Sequence, residues 1–192
     1  MRTTEVSAVA AEPDPPSRRA DARRNHERVF AAALEVFQES GLHGTVPQVA
    51  ERAGVGKATV YRSYPAKEDL VEAIVAQRLG ELDRRTAPAL ARTDPYERFS
   101  AYVTSLFEGL AGDRLLSEAL ATGQFRRTSG LLSGLSALMD AAKGPGQVRA
   151  DATELDLRVM LCGMILQLMT NGDRDPALWR RYGELTLRAL RP

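Results

Sequence analysis

One glycine constrains this chain more than any other residue. Gly54 stands between two short stretches of helical spacing, Pro47 to Ala53 and Lys57 to Tyr64. Glycine reaches positive φ without steric cost, so the chain can reverse sharply there, and Val55 follows as an apolar residue able to fill the angle between two helices. Before the turn, Pro47 sits in a first helical turn that needs no backbone donor, and Val46, Val49, Ala50 and Ala53 fall on one side. After it, Val60 points inward while Lys57, Ala58, Thr59, Tyr61 and Arg62 lie on the remaining faces. Pro65 closes the segment, because its ring disfavours a helical residue just ahead of it.

A small residue at Ala50, a turn glycine and an inward Val60 together describe a helix-turn-helix, in which the close crossing of two helices demands small side chains. In such a unit the second helix lies in the DNA major groove. Lys57 and Thr59 then meet base edges, and Tyr61 and Arg62 reach base edges or phosphate. The stretch Ala66-Lys67-Glu68-Asp69 opens a further helix, whose free backbone donors and Lys67 form a candidate phosphate clamp.

The stretch GVGKATVYRSYPAKEDL resembles the signature of the TetR family of transcriptional regulators, over roughly Arg23 to Arg85. The remainder matches that family only in length and helical character. Many members carry a Thr-Ser/Thr pair before the valine of the second helix, whereas this chain has Gly44-Thr45-Val46, so Thr45 alone carries over as the helix-start phosphate contact. Tyr64 takes a position often filled by phenylalanine, keeping the aromatic plug and adding a hydroxyl. The resulting DNA-binding candidates are Thr45, Lys57, Ala58, Thr59, Tyr61, Arg62, Tyr64 and Lys67. The resemblance implies a ligand-responsive repressor that binds a palindromic double-stranded operator as a homodimer, with a small-molecule effector and no cofactor.

With 192 residues, 44% apolar and 27% charged, the chain is of ordinary globular composition. Its net charge is only +1, so any attraction to nucleic acid must work by position. Between Ser17 and Tyr64 the basic residues Arg18, Arg19, Arg23, Arg24, Arg28, Arg52, Lys57 and Arg62 outnumber the acidic ones. Residues 1–20 are small, polar and Pro-rich, and are expected to be a disordered tail whose terminal Arg18-Arg19 and Arg23-Arg24 pairs form either an arm for DNA or a solvated charge run. A lone Cys162 within an apolar run fits a reducing cytoplasm. No apolar run approaches the roughly 18 residues of a membrane span.

Taken in order, the spacing predicts a helix from Asp21 or Ala22 to Ser40, the two helices about Gly54, and a fourth from Lys67 to Arg85, with Pro88 marking the connection onward. A fifth runs from Tyr96 to Ala111, capped by Asp94 or Thr93, and a short one from Arg114 to Thr122. Leu131 to Met139 define another, ending at Lys143-Gly144-Pro145-Gly146. Asp151-Ala-Thr-Glu154 reads as a capping box for a long helix reaching Met169, and Asp175-Pro176 starts the last. The fold class is therefore all-α, with about nine helices. A head at 21–66 is followed by a helical effector-binding and dimerisation domain at 67–192.

The effector candidates are Phe99, Tyr102, Leu106, Phe125, Leu135, Met139 and Met164, an apolar set with few polar atoms that favours a lipophilic or aromatic compound. For the dimer, the last two helices carry surplus apolar surface at Leu155, Val159, Cys162, Leu166, Leu178, Tyr182 and Leu185. An enzyme is disfavoured. Gly54-Val-Gly-Lys57 superficially resembles a phosphate loop, but the glycine such a loop needs five residues earlier is Glu51, and a helix precedes it. Neither paired catalytic acids nor a metal cluster appear in the sequence. The remaining alternative, a helical protein-interaction module with a helix-turn-helix that no longer binds DNA, sits poorly with the polar, basic reader face.

Overall fold

Helical spacing translates into helices along nearly the whole chain. The computed structural model describes residues 16–123 and 125–192. Residues 1–15, most of the predicted tail, lie outside the described residues, as do the side chains of Arg18 and Arg19. The elements are α1 (Pro16–Ser40), a 3-10 turn (Gly41–His43), α2 (Val46–Ala53), α3 (Lys57–Ser63), α4 (Lys67–Leu90), α5 (Pro95–Gly112), α6 (Arg114–Thr122), α7 (Arg126–Lys143), α8 (Glu154–Thr170) and α9 (Pro176–Ala189). The described residues contain no strand.

Helix starts follow local chemistry. Asp94, Asp113 and Asp175 cap α5, α6 and α9, accepting from Glu97 N at 2.9 Å, Leu116 N at 2.9 Å and Ala177 N at 3.0 Å. These bonds satisfy donors that the first helical turn cannot. Three sequence-based boundaries need correction. α1 begins at Pro16, ahead of Asp21, so 16–20 belong to the helix and not to the tail; proline suits a first turn. α4 continues to Leu90 through Pro88, which lies in the last turn and is exposed. The capping box of α8 is Thr153 with Asp156, whose carboxylate accepts from Thr153 N at 2.8 Å. Asp151 is instead paired with Arg149.

α1 to α3 close a small head around Val29, Ala33, Phe37, Val49 and Val60, each fully buried. α5 forms the axis of the bundle, packed by α4, α7 and α9, with Phe99, Phe107, Leu110 and Trp179 fully buried. At about 1.5–3 kcal/mol for each large apolar side chain removed from water, this core supplies the main driving force. α4 joins head and bundle, touching α1 at one end and α5 and α7 along its length. No described helix is long and apolar enough to cross a membrane.

Candidate nucleic-acid interface and effector cavity

The turn at Gly54 adopts φ 63° and ψ 40°, the left-handed conformation that side chains resist. Gly54 N donates to Glu51 O at 3.0 Å and Val55 N to Ala50 O at 3.0 Å, which closes the end of α2 and turns the chain into α3. Two arginines of the basic excess hold α1 against α2. Arg28 donates to Ala53 O at 2.6 Å. Arg52 bridges Glu35 at 2.9 Å and Glu39 at 3.1 Å. Its hydrogen bond and charge hold the Glu39 carboxyl below the ordinary carboxylate range.

α3 is thereby fixed by its inner face and open on its outer one. Val60 is fully buried, while Lys57, Ala58, Arg62 and Tyr61, which is 48% exposed, face outward and Thr59 is half-buried. Among the described residues the side chains of Lys57, Tyr61 and Arg62 have no hydrogen-bond or ion-pair partner. At the start of α2, Thr45 N donates to Gln48 Oε1 at 2.9 Å and the Thr45 hydroxyl accepts from Gln48 N, so the exposed Thr45 is locked as a cap beside the reader.

Two predicted contacts are placed otherwise. Tyr64 is buried, its ring stacked on His26 with centroids 5.1 Å apart and its hydroxyl 3.1 Å from His26 Nε2. Burial pushes the phenol above its ordinary pKa. Tyr64 therefore faces α1 and acts as a plug. Lys67 is half-buried, and its ammonium donates to Leu42 O at 2.5 Å and lies 5.9 Å from the centre of the Phe37 ring. The start of α4 has no side-chain acceptor at Ala66; there Asp69 alone makes the cap, accepting from Ala66 N at 2.9 Å.

A cavity of about 650 Å³ opens between α4, α5 and α7. Of the predicted lining, Tyr102 and Leu135 reach it, while Phe99 and Met139 are fully buried in the core. Leu106 borders a smaller polar cleft with Arg78, Phe125 lines a shallow groove beside Lys67, and Met164 accepts from the Thr186 hydroxyl at 3.2 Å. The sequence reading missed Leu79, Asp83, Arg127, Gly130, Leu131, Gly134 and Leu138 in this lining. Gly130 and Gly134, one turn apart on α7, are the signal available in the sequence: apart from their chain neighbours and their own helix backbone, no atom lies within 4 Å of where a Cβ would stand. The Tyr102 hydroxyl donates to Asp83 at 2.6 Å, and burial, reinforced by that bond, pushes its pKa far up, so it stays a neutral donor.

On α8, Leu155 and Val159, each 62% exposed, and Leu166, 54% exposed, form one apolar stripe. Leu178, Tyr182 and Leu185 on α9 are half-buried. Cys162 departs from the stripe: its thiol donates to Leu120 O at 3.4 Å, toward α6, and burial raises its pKa.

A head with this turn and this open second helix is a helix-turn-helix DNA-binding domain. The family profile described as "Bacterial regulatory proteins, tetR family" matches residues 29–74. The TetR transcriptional regulator SCO0520 from Streptomyces coelicolor is 31% identical, with 87% of this chain and 98% of that one covered and a TM-score of 0.55. The chain belongs to the TetR family. FadR from Bacillus subtilis, solved with stearoyl-CoA, is 22% identical with a TM-score of 0.65, covering 84% of this chain and 97% of that one, a likeness of fold. The transcriptional repressor KstR of Mycolicibacterium smegmatis is 31% identical over 100 residues, 51% of this chain and 49% of that protein. The match spans about half the length of the curated relatives.

Proposed function

We propose that the chain is a ligand-responsive transcriptional repressor that binds a palindromic operator as a homodimer. The observation that carries this reading is the outer face of α3, where Lys57, Tyr61 and Arg62 stand exposed and unpartnered beside the Thr45 cap. Lys57, Ala58, Thr59 and Tyr61 read base edges, and Thr45 and Arg62 take phosphates. Lys57→Ala and Tyr61→Ala should each weaken operator binding by about 1–3 kcal/mol, measured by fluorescence anisotropy on a DNA fragment that the chain itself selects from a random library. Wild-type affinity in both variants, with folding intact, would overturn the assignment.

The effector is a lipophilic molecule bound between α4, α5 and α7. Leu79, Leu131, Leu135 and Leu138 give the cavity its apolar wall, and Tyr102 adds a neutral hydroxyl oxygen that can accept, its proton being held by Asp83. FadR, of the same fold, was solved with stearoyl-CoA, and acyl-CoA esters are therefore the first ligands to titrate. Gly134 lines this cavity, and a Cβ there would stand in open space, which leaves room for a larger side chain to be added at the wall. Gly134→Leu should accordingly weaken effector binding by at least about tenfold while leaving operator affinity in the absence of effector unchanged. An effector affinity equal to that of the wild type would remove this cavity as the sensor. Release of DNA follows from differential affinity: a ligand that prefers the conformer with misplaced readers shifts the population toward it.

A further inference from the structure

The turn between α1 and α2 is held from outside the head. Gly41, at φ +57°, opens the 3-10 turn, and Leu42 then offers both of its backbone groups to side chains of the bundle. Its N–H donates to Glu118 Oε2 on α6 at 2.5 Å, and its C=O accepts from Lys67 Nζ on α4 at 2.5 Å. The Glu118 side chain is only 14% exposed, and its other oxygen accepts from Arg114 Nε at 2.8 Å. Arg114 also reaches Glu39 O, in the last turn of α1, at 3.2 Å. Any side chain at position 41 would run into the Glu118 carboxylate. The head has its own internal ties in Arg28 and Arg52, so this second set serves to join head and bundle.

We infer that Glu118 and Lys67 are positioning residues for DNA binding, clasping Leu42 and through it fixing the start of α2 at Thr45 relative to the bundle. The inference rests on the DNA-binding reading above. Both bonds are charge-assisted and partly shielded from water, the setting in which such bonds are strongest. They come from different helices: α4 lines the effector cavity and α6 does not. A ligand that shifts α4 against α6 therefore draws Lys67 away from Leu42 O while Glu118 keeps its hold on Leu42 N, and the head tilts about that remaining bond.

The test uses the full chain, the DNA fragment selected by the wild type, and two readouts: affinity across a salt series, and hydrogen exchange of the Leu42 amide. Glu118→Ala should bind at least about tenfold more weakly and exchange the Leu42 amide faster. Glu118→Gln, whose amide oxygen still accepts from Leu42 N, should recover most of both. Lys67→Met should weaken binding without changing the slope of log affinity against log salt, since a lost phosphate contact would instead flatten that slope by about 0.9. Wild-type affinity in Glu118→Ala overturns the inference, as does a flattened slope in Lys67→Met. Should Glu118→Ala unfold, Glu118→Gln decides: lost affinity with an undisturbed Leu42 amide sinks the clasp. Failure of the underlying reading looks different, because the wild type would then select no DNA sequence at all.

Discussion

Val159→Asp should leave the chain monomeric at micromolar concentration and lower its operator affinity by two orders of magnitude or more. Leu155, Val159 and Leu166 are large apolar residues left more than half exposed, and they fall on one face of α8 at helical spacing. A two-fold interface presents the same patch twice, so one substitution places two carboxylates in it. Desolvating each charge without a partner costs several kcal/mol. In the proposed homodimer that cost would reach the DNA, because a palindromic operator would be bound through two linked readers and separate protomers would lose the effective concentration that joins them. Sedimentation velocity and anisotropy check the two halves of this result. A variant still dimeric at micromolar concentration would remove the α8 face as the interface.

Trp179→Ala should cost about 3–5 kcal/mol of folding stability, the largest loss expected from any single truncation here. Trp179 is fully buried, and its indole Nε1 donates to Asp173 O at 3.1 Å, so alanine leaves both a cavity and an unpaired carbonyl. The surroundings have little room to collapse. α9 approaches α5 so closely that a Cβ at Gly183 would stand 3.0 Å from the Phe107 ring, and the Thr186 hydroxyl of α9 is pinned to Tyr182 O and to Met164 of α8. Urea unfolding at fixed protomer concentration measures the change, since association contributes to apparent stability. A loss below about 1 kcal/mol would mean that α9 repacks and that the bundle axis is softer than its burial implies.

The head was legible in the sequence because its determinants are local. Gly54 must turn left-handed, Val60 must face inward, and Pro65 must end the helix, all within a dozen residues. The departures share a different cause. The Tyr64 hydroxyl meets His26 across 38 positions, and Lys67 meets Leu42 across 25, pairings that no periodicity announces. His26, an exposed residue of α1, stacks on the plug, a contact that helical spacing does not mark. In the bundle, apolar residues mark what is buried and say little about what is hollow. Phe99 and Met139 fill the core, whereas part of the cavity owes its space to residues that have no side chain. The cap of α8 lies two positions beyond Asp151 because Asp151, by type the better cap residue, is paired with Arg149, while Thr153 closes a reciprocal box with Asp156.

Gly130 and Gly134 give the cavity between α4, α5 and α7 a wall whose depth can be set in graded steps. They sit one turn apart with open space where side chains would be, so Ala, Val and Leu at either position subtract known volumes from the cavity and leave the backbone bonds of α7 in place. Such a series is a gauge. The substitution at which a ligand first ceases to bind reports how far that ligand reaches along α7, and two gauges a turn apart, about 6 Å, give its direction as well as its length.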